Sequence, residues 1–354
     1  MSESIRPKAL KPGDTIAFVS PSLRLNDTLP NAIARGKAYI ESFRFKVRVI
    51  YKPLSESSSI KDSIRVKLEE LHEAFADPEI KAIICTLGGN HANELLPFLD
   101  YKLLKRNPKI FIGYSDTTFL HYGLYSKAGL RTFYGPTVLS DFADIPNPIQ
   151  FTIDHFLHVL TKPDQPIGAI PRSLEFAGDD ADFLFGNDNS TVQRTLAPSP
   201  KWRWLRKGTA TGRLFGGTMR PVVELTGQPT YSPSTWKDKI LFLETAMGGN
   251  LTDPYPITKL RNHFVNLALA GVLSEIQGLV IGRAYKYDQG MQDELASVVT
   301  EVLDAVAGRK EGECPVLMNV DFGHTSPILT LPYGALARLD REGDEFAVLE
   351  SGVE

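Results

Sequence analysis

Lys109-Ile110-Phe111-Ile112-Gly113-Tyr114-Ser115-Asp116-Thr117-Thr118 is the stretch that decides the fold. An apolar run stops at a glycine, presents a serine, and passes directly into a predicted helix over residues 119–127. A hydroxyl at such a junction sits beside free backbone N–H groups and the positive end of a helix dipole, where developing negative charge is stabilised. Ser, Asp and Thr are also the preferred helix caps, so the triplet by itself reads first as a mere cap. Ser115 gains weight only from its downstream company.

Working outward, the same strand-to-helix alternation recurs. Residues 15–20 (TIAFVS) read as a buried strand entered through Lys11-Pro12-Gly13-Asp14, followed by a helix over 31–42 and a strand over 47–51. Residues 62–76 carry Ile64, Leu68, Leu71 and Phe75 at helical spacing, with Asp62 as the expected cap. Residues 81–87 (KAIICTL) form a strand that breaks at Gly88-Gly89-Asn90, and a helix is expected from His91. The pattern predicts a flavodoxin- or Rossmann-like parallel sheet with helices on both faces. Ligands of such sheets sit outside the carboxyl ends of the strands, where Ser20, Gly88-Gly89 and Ser115 all fall.

Between residues 163 and 208 the periodicity dissolves. Pro163, Pro166, Pro171, Pro198 and Pro200 share this stretch with the acidic run Asp179-Asp180-Ala181-Asp182 and with Trp202-Arg203-Trp204. It reads as a linker and lid with little regular structure. Strands are expected beyond it at 212–226, 239–244, 278–281, 315–319, 328–331, 335–340 and 345–349, and helices at 257–273 and 289–307. The expected organisation is therefore an N-terminal α/β domain (1–162), a linker and lid (163–208) and a mixed α/β C-terminal domain (209–354), with the site in the cleft between the domains.

Bulk properties narrow the function classes. At 354 residues the chain exceeds one ordinary core. A net charge of -3 without a basic block argues against a nucleic-acid polymer or a membrane surface as partner. No leader-like apolar region opens the sequence, and no run approaches the roughly 18 apolar residues of a membrane span. Two cysteines, Cys85 and Cys314, suit a reducing compartment, so a cytoplasmic location is expected and the sequons at Asn26, Asn189 and Asn250 carry no weight. No Cys/His cluster has metal-ligand spacing, and His155 and His158, three apart on a predicted helix, are expected at the surface. Neither a metal nor an organic cofactor is called for.

A serine nucleophile needs a base, and the base an orienting carboxylate. Glu244 ends the apolar run Lys239-Ile240-Leu241-Phe242-Leu243, where a carboxylate is costly unless paired. His324 follows another apolar strand in Asn319-Val320-Asp321-Phe322-Gly323-His324-Thr325, whereas the other six histidines lie in helical surroundings. Spacing alone does not bring these three residues together.

Several motifs in order, KPGDTIAFVSPS from Lys11, LGGNHANELLPFLDY from Leu87, FIGYSDTTFLHYGL from Phe111, FYGPT from Phe133, GRLFGGT from Gly212, ILFLET from Ile240, GLVIGR from Gly278 and PVLMNVDFGHTSPILTLPYGALARLD from Pro315, closely resemble the LD-carboxypeptidase family of serine peptidases. The resemblance implies a Ser115, His324 and Glu244 triad divided between two domains. It also implies an oxyanion hole from the backbone of Asp116 and the Gly88-Gly89 turn, substrate contacts at Asn90, and a homodimer. Two departures stand out: Gly-x-Ser-x-Gly is absent, and the 163–208 stretch is longer than in enzymes that trim cell-wall tetrapeptides. The insertion resembles the microcin C immunity branch, which cuts an amide or phosphoramidate joining an aminoacyl group to a nucleotide. There Trp202 and Trp204 would either stack on a nucleobase or anchor the loop, and Arg283 or Lys286 would hold a carboxylate or phosphate. The expectation is a serine amidase acting on a small-molecule or peptide substrate. Its alternatives are a muropeptide LD-carboxypeptidase and a non-catalytic two-domain receptor for a small ligand.

Overall fold

A computed structural model describes residues 4–55 and 57–354. Residues 1–3, part of the stretch read above for a leader, and residue 56 lie outside the described residues. The first sheet runs, in spatial order, Leu331–Pro332, Phe133–Tyr134, Ile110–Gly113, Ile80–Cys85, Thr15–Val19 and Lys46–Val49. All its pairings are parallel except that of Leu331–Pro332 with Phe133–Tyr134, by which the chain returns near its end to the sheet it began. Thr15–Val19 and Ile110–Gly113 are buried along their whole length, which is why they read as continuous apolar runs rather than alternating ones.

Helices Pro30–Ser42 and Ile60–Ala76 flank this sheet. The second starts at a capping box: Ser59 Oγ accepts the Asp62 amide at 3.1 Å and the Asp62 carboxylate accepts the Ser59 amide at 3.2 Å. Asp62 is thus the third helical residue, and Ser59 takes the cap place expected for it. The helix expected from His91 is a 3-10 turn, Ala92–Phe98. After Ile110–Gly113 a 3-10 turn, Ser115–Thr117, leads into helix Thr118–Gly123 and a wider π turn, Leu124–Ala128.

The second sheet runs Gly168–Ala169, Glu345–Val348, Leu336–Asp340, Thr209–Thr218, Lys239–Glu244, Gly278–Gly282, Val316–Val320 and Arg203–Arg206. Its centre is parallel and its flanks antiparallel. The stretch read as a structureless linker therefore supplies both edge strands. It also forms a small ribbon, Glu175–Phe176 with Ala197–Pro198, and a 3-10 turn, Asp182–Phe185. Its short strands escape periodicity because two to four residues are too few to show a period.

Three further readings are corrected. Residues 212–226 are not one strand: Thr209–Thr218 gives way to helix Met219–Thr226, with Pro221 tolerated in the first turn. His155 is buried, not superficial, and its Nδ1 accepts the Thr330 amide at 3.0 Å. The helix expected over 257–273 is interrupted, as Ile257–Leu269 followed by Val272–Glu275. Among the described residues no helix is long and apolar enough to cross a membrane.

Candidate active site

Strand Ile110–Gly113 delivers Ser115 to the carboxyl edge of the first sheet with φ of +65°. That left-handed conformation is strained for a residue with a β-carbon and persists only where the surroundings enforce it. Here Thr117 Oγ1 donates to the Tyr114 carbonyl at 2.9 Å, and the Thr118 amide donates back to the Ser115 carbonyl. The result is a sharp strand–turn–helix at Ser115, with Gly113 on one side of the serine and Thr117 where a Gly-x-Ser-x-Gly pattern would have its second glycine. The neighbouring turn must approach closely. A β-carbon on Gly88 would lie 2.5 Å from Ser115 Cβ and 2.9 Å from its Oγ.

The second sheet brings the other groups. Lys239–Glu244 is buried throughout and ends with the Glu244 side chain fully enclosed. Its register partner at the end of the adjacent strand, Thr218, donates to Glu244 Oε1. His324 follows Gly323, whose φ is +115° and whose absent β-carbon would come 3.1 Å from Glu244 Cβ. Glycine there lets the loop close on the carboxylate. His324 Nδ1 lies 2.8 Å from Glu244 Oε2 and its Nε2 lies 2.9 Å from Ser115 Oγ. An acceptor-only carboxylate assigns the proton to Nδ1 and leaves the Nε2 lone pair toward the serine hydroxyl. The Tyr114 ring meets the imidazole edge-on at 5.1 Å.

The electrostatics follow from burial opposed by pairing. Burial works to lower the His324 pKa, but the Glu244 carboxylate and its hydrogen bond, with Asp180 and Asp141 behind them, outweigh it and hold the imidazole above its ordinary value. Burial would raise the Glu244 carboxyl, but the facing imidazole and the hydrogen bonds from His324 and Thr218 hold it below the usual carboxylate value. Asp141, fully enclosed behind this line, is pushed up to about 7 by desolvation, against the Thr137 amide bond and Arg194.

At the same corner the 3-10 turn that Ser115 opens leaves the Asp116 amide without an intrahelical acceptor. The Gly88-Gly89-Asn90 turn faces it. The Asp116 side chain ties the two turns together by accepting from Ser22 Oγ at 2.5 Å and from the Ala92 amide at 2.8 Å. The arrangement can attack a carbonyl, move a proton and hold an oxyanion, all by acyl-transfer chemistry.

Ser115 and His324 open into a cleft of about 790 Å³ lined also by Gly88, Gly89, Asn90 and Asp116. The four remaining candidates lie elsewhere. Arg283 is buried, paired with Asp321 and donating to Thr325 Oγ1 at 2.9 Å; Lys286 pairs with Asp179 at 2.8 Å; and both line a separate, small cavity. Trp202 lies beneath the Arg172 guanidinium at 3.8 Å, and Trp204 Nε1 donates to Asp344 at 2.7 Å. Neither tryptophan lines the cleft, because the strand that begins at Arg203 binds them to the second sheet. Of the two roles left open for them, anchoring fits their placement.

The cleft wall holds residues that sequence reasoning missed: Leu184 and Phe185 from the lid, Asp180 beside them, and Arg220 at the start of helix Met219–Thr226. The available signal was the apolar Phe183-Leu184-Phe185 following the acidic run, since a half-exposed phenylalanine in a polar loop asks for a partner. The lid is latched over the first sheet. Asp188 accepts the Asn31 and Ala32 amides at 2.7 and 2.9 Å, capping helix Pro30–Ser42 from outside, and Arg194 pairs with Asp144 at 3.2 Å.

Comparison with known proteins agrees with this architecture. Residues 16–135 match the LD-carboxypeptidase N-terminal domain and residues 211–339 the LD-carboxypeptidase C-terminal domain. The microcin C7 self-immunity protein MccF of Escherichia coli is 30% identical over 340 residues, covering 96% of this chain and 94% of that protein. A Bacillus subtilis protein named for murein peptide carboxypeptidase activity is 27% identical, covering 99% of this chain and 96% of its own. The solved structure of MccF in complex with glutamyl sulfamoyl guanosine superposes with a TM-score of 0.85 at 28% identity, covering 99% of both chains. An MccF variant bound to adenosine monophosphate gives 0.86 at 29% identity, covering 99% of this chain and 100% of that one. The chain belongs to the LD-carboxypeptidase family, and its activity is of the serine-type carboxypeptidase or amidase kind.

Proposed function

We propose that this member of the LD-carboxypeptidase family hydrolyses the amide or phosphoramidate bond that joins an aminoacyl group to a nucleotide, with Ser115 as nucleophile. His324 takes the serine proton as Ser115 Oγ attacks the carbonyl carbon, Glu244 holds the resulting imidazolium, and the amides of Asp116 and Gly89 receive the oxyanion. His324 then returns the proton to the leaving nitrogen. Water, activated by the same imidazole, releases the acyl group from Ser115. The observation that carries this reading is the continuous line Ser115–His324–Glu244, with its contacts of 2.9 and 2.8 Å. A receptor for a small ligand has no need to bury a carboxylate against an imidazole that faces a strained serine.

The nucleotide side of the reading is supported by the cleft wall. Leu23, Leu25, Leu184 and Phe185 offer an apolar flank for a base, and Arg220, held by Glu224 at 2.8 Å, is the one arginine or lysine among the described lining residues. It would take the phosphate or carboxylate first assigned to Arg283 or Lys286. The MccF complexes with glutamyl sulfamoyl guanosine and adenosine monophosphate add to this support. Cleavage of a muropeptide tetrapeptide is the second reading, favoured by the Bacillus subtilis relative and by the same Arg220, which suits a terminal carboxylate. The proposed division of labour places the nucleophile on residues 1–162, the lid on 163–208 and the Glu–His pair on 209–354, in a cytoplasmic homodimer.

The test is turnover of glutamyl sulfamoyl adenosine and of a muropeptide tetrapeptide by the purified chain, followed by mass spectrometry. Ser115→Ala should remove on the order of 10⁴-fold or more of kcat on the accepted substrate. Undiminished turnover by that variant rejects the nucleophile. Cleavage of the peptide alone transfers the assignment to the second reading.

A further inference from the structure

Arg194 lies in a polar run of the lid, Thr191-Val192-Gln193-Arg194-Thr195, where nothing in the sequence sets it apart. Its side chain is nonetheless only 5% exposed, and its guanidinium divides its donors among three parts of the chain. Nε pairs with Asp144 at 3.2 Å and Nη2 donates to the Ser140 carbonyl, on and just beyond the π turn Val138–Phe142. Nη1 donates to Ser326 Oγ at 2.5 Å and reaches the Asp179 carbonyl of the lid itself at 3.5 Å. Ser140 lines the cleft beside Tyr114, and its turn is tied to the first sheet by the Leu139 amide on the Thr86 carbonyl at 2.9 Å. Ser326 stands two residues after His324. Its backbone is paired with Ala177 of the lid through N–H···O contacts of 2.7 and 3.1 Å. One buried guanidinium thus joins lid, first-sheet turn and histidine loop at a single point.

From this geometry we infer that Arg194 is a positioning residue for His324, acting through Ser326, so that the imidazole holds its working place only while the lid is seated. The inference rests on the serine-amidase reading and adds to it a coupling between the lid and proton transfer. His324 Nδ1 is set against Glu244 at 2.8 Å, which fixes one end of the ring. Beyond His324 the loop has two holds. Arg283 donates to Thr325 Oγ1 at 2.9 Å and to the Pro327 carbonyl at 2.5 Å, a hold that belongs to the second sheet and persists whatever the lid does. The other hold, on Ser326, comes wholly from Ala177 and Arg194 of the lid. The 2.9 Å contact from His324 Nε2 to Ser115 Oγ spans the two sheets, and Arg194 spans the same gap from Ser140 to Ser326. A strut that only pinned the lid would need Asp144 and Ser140 alone; the bond to Ser326 is what reaches the histidine. A planar fork with fixed donor directions transmits such placement better than a point charge on a flexible stem. Lifting the lid would leave Asp144 buried without its cation, so the seated state is also the one in which both charges are satisfied.

The experiment is a double-mutant cycle on kcat, run with glutamyl sulfamoyl adenosine or a muropeptide tetrapeptide, whichever the unmutated chain cleaves. Ser326→Ala breaks only the side-chain bond to the histidine loop and leaves the Arg194–Asp144 pair in place. It should lower kcat about tenfold, with KM held within about twofold and the melting temperature little changed. Arg194→Met should lower kcat about 30-fold or more. Adding Ser326→Ala to Arg194→Met should cost less than about a further twofold, because the shared route is already cut. Arg194→Met/Asp144→Asn leaves no buried carboxylate without its cation, so it should melt close to the unmutated chain and still show the kcat loss. Arg194→Lys, which keeps the charge and loses the fork, should recover little of it. Losses that multiply across the cycle overturn the inference, as does a raised KM with kcat unchanged, the mark of a lid that only covers substrate. Turnover that survives Ser115→Ala, or no turnover of either substrate by the unmutated chain, defeats the serine-amidase reading itself, and the inference falls with it.

Discussion

Replacing Gly88 by alanine tests how tightly the two halves of the candidate site are set. The added β-carbon would stand 2.5 Å from Ser115 Cβ, where ordinary contacts begin at 3.4 Å, so about 0.9 Å must be found by movement. The neighbour is no flexible chain end. Ser115 is pinned by its positive φ, by the Thr118 amide on its carbonyl and by the buried strand before it. Part of the displacement must therefore fall on Oγ, which sits 2.9 Å from His324 Nε2. A shift approaching 1 Å in a reacting atom costs about a hundredfold in rate. Overpacking of this kind destabilises by about 1–3 kcal/mol, a few degrees of melting temperature in a chain of this size. Gly88→Ala should thus lose about a hundredfold of kcat while remaining folded. Gly227→Ala, with nothing within 4 Å of its new methyl, should be neutral in both respects. Rates and thermal melts of the two variants check this. Gly88→Ala retaining activity within threefold of the unmutated chain would refute the claim that turn and serine are held in fixed contact.

The remaining predictions concern charge and the lid. Because the proposed base, His324, must be neutral to accept the serine proton and its pKa is raised, kcat/KM should climb with pH through a limb above the ordinary histidine value. Glu244→Gln removes the main raising influence and leaves burial to act, so the limb should move to lower pH while kcat falls by roughly 10³–10⁴-fold; a pH–rate profile with an unmoved limb contradicts this. Asp141, at about 7 in the fold against 3.8 when unfolded, stabilises the protein fully below 3.8 and loses that contribution as pH rises toward 7. Asp141→Asn should therefore melt higher than the unmutated chain at pH 8, by an amount that shrinks at pH 5; a pH-independent difference would exclude the ionisation. Trp202→Ala and Trp204→Ala should lower the melting temperature with KM nearly unchanged, whereas Phe185→Ala should raise KM for nucleotide substrates more than for peptides. The reverse pattern would return the tryptophans to the substrate.

The sequence disclosed the sheet centres and the three strand-end side chains for one physical reason. A parallel strand buried on both faces must be a continuous apolar run, so polar residues at its end or in the turn just beyond stand out, as Ser115, Glu244 and His324 do. Elements that owe their position to distant partners left no such mark. Arg203–Arg206 is a strand only because Val316–Val320 lies beside it, and Trp202 gave no sign that Arg172 would cover it. Arg283 looked like a cleft cation because it follows a strand end. Its side chain instead turns inward to Asp321 and Thr325, where a buried guanidinium and a buried carboxylate satisfy one another. Position at a strand end fixes where a residue leaves the sheet, and not which way it points.

The same distinction explains why the lid carries the selectivity in this reading. The side chains of the proposed triad stand on strands and turns whose geometry is over-determined by burial and register, which leaves little room for change without loss of the proposed chemistry. The lid segment around Asp180 is held differently, by the Ala177–Ser326 backbone bridge, by buried Ala181 and Phe183, and by polar latches on either side: Asp188 on the amides of helix Pro30–Ser42, Arg194 on Asp144, Lys286 on Asp179. Between the latches Asp180, Leu184 and Phe185 face the cleft and bear no load in either sheet. Substitutions there alter what the cleft accepts at small cost to stability, so one fixed acyl-transfer centre can serve peptides in one relative and nucleotide conjugates in another. Exchanging the segment between Gly178 and Gly186 for that of a muropeptide-cleaving relative should accordingly move substrate preference while leaving the Ser115–His324 pH limb where it was, apart from the contribution Asp180 makes to it.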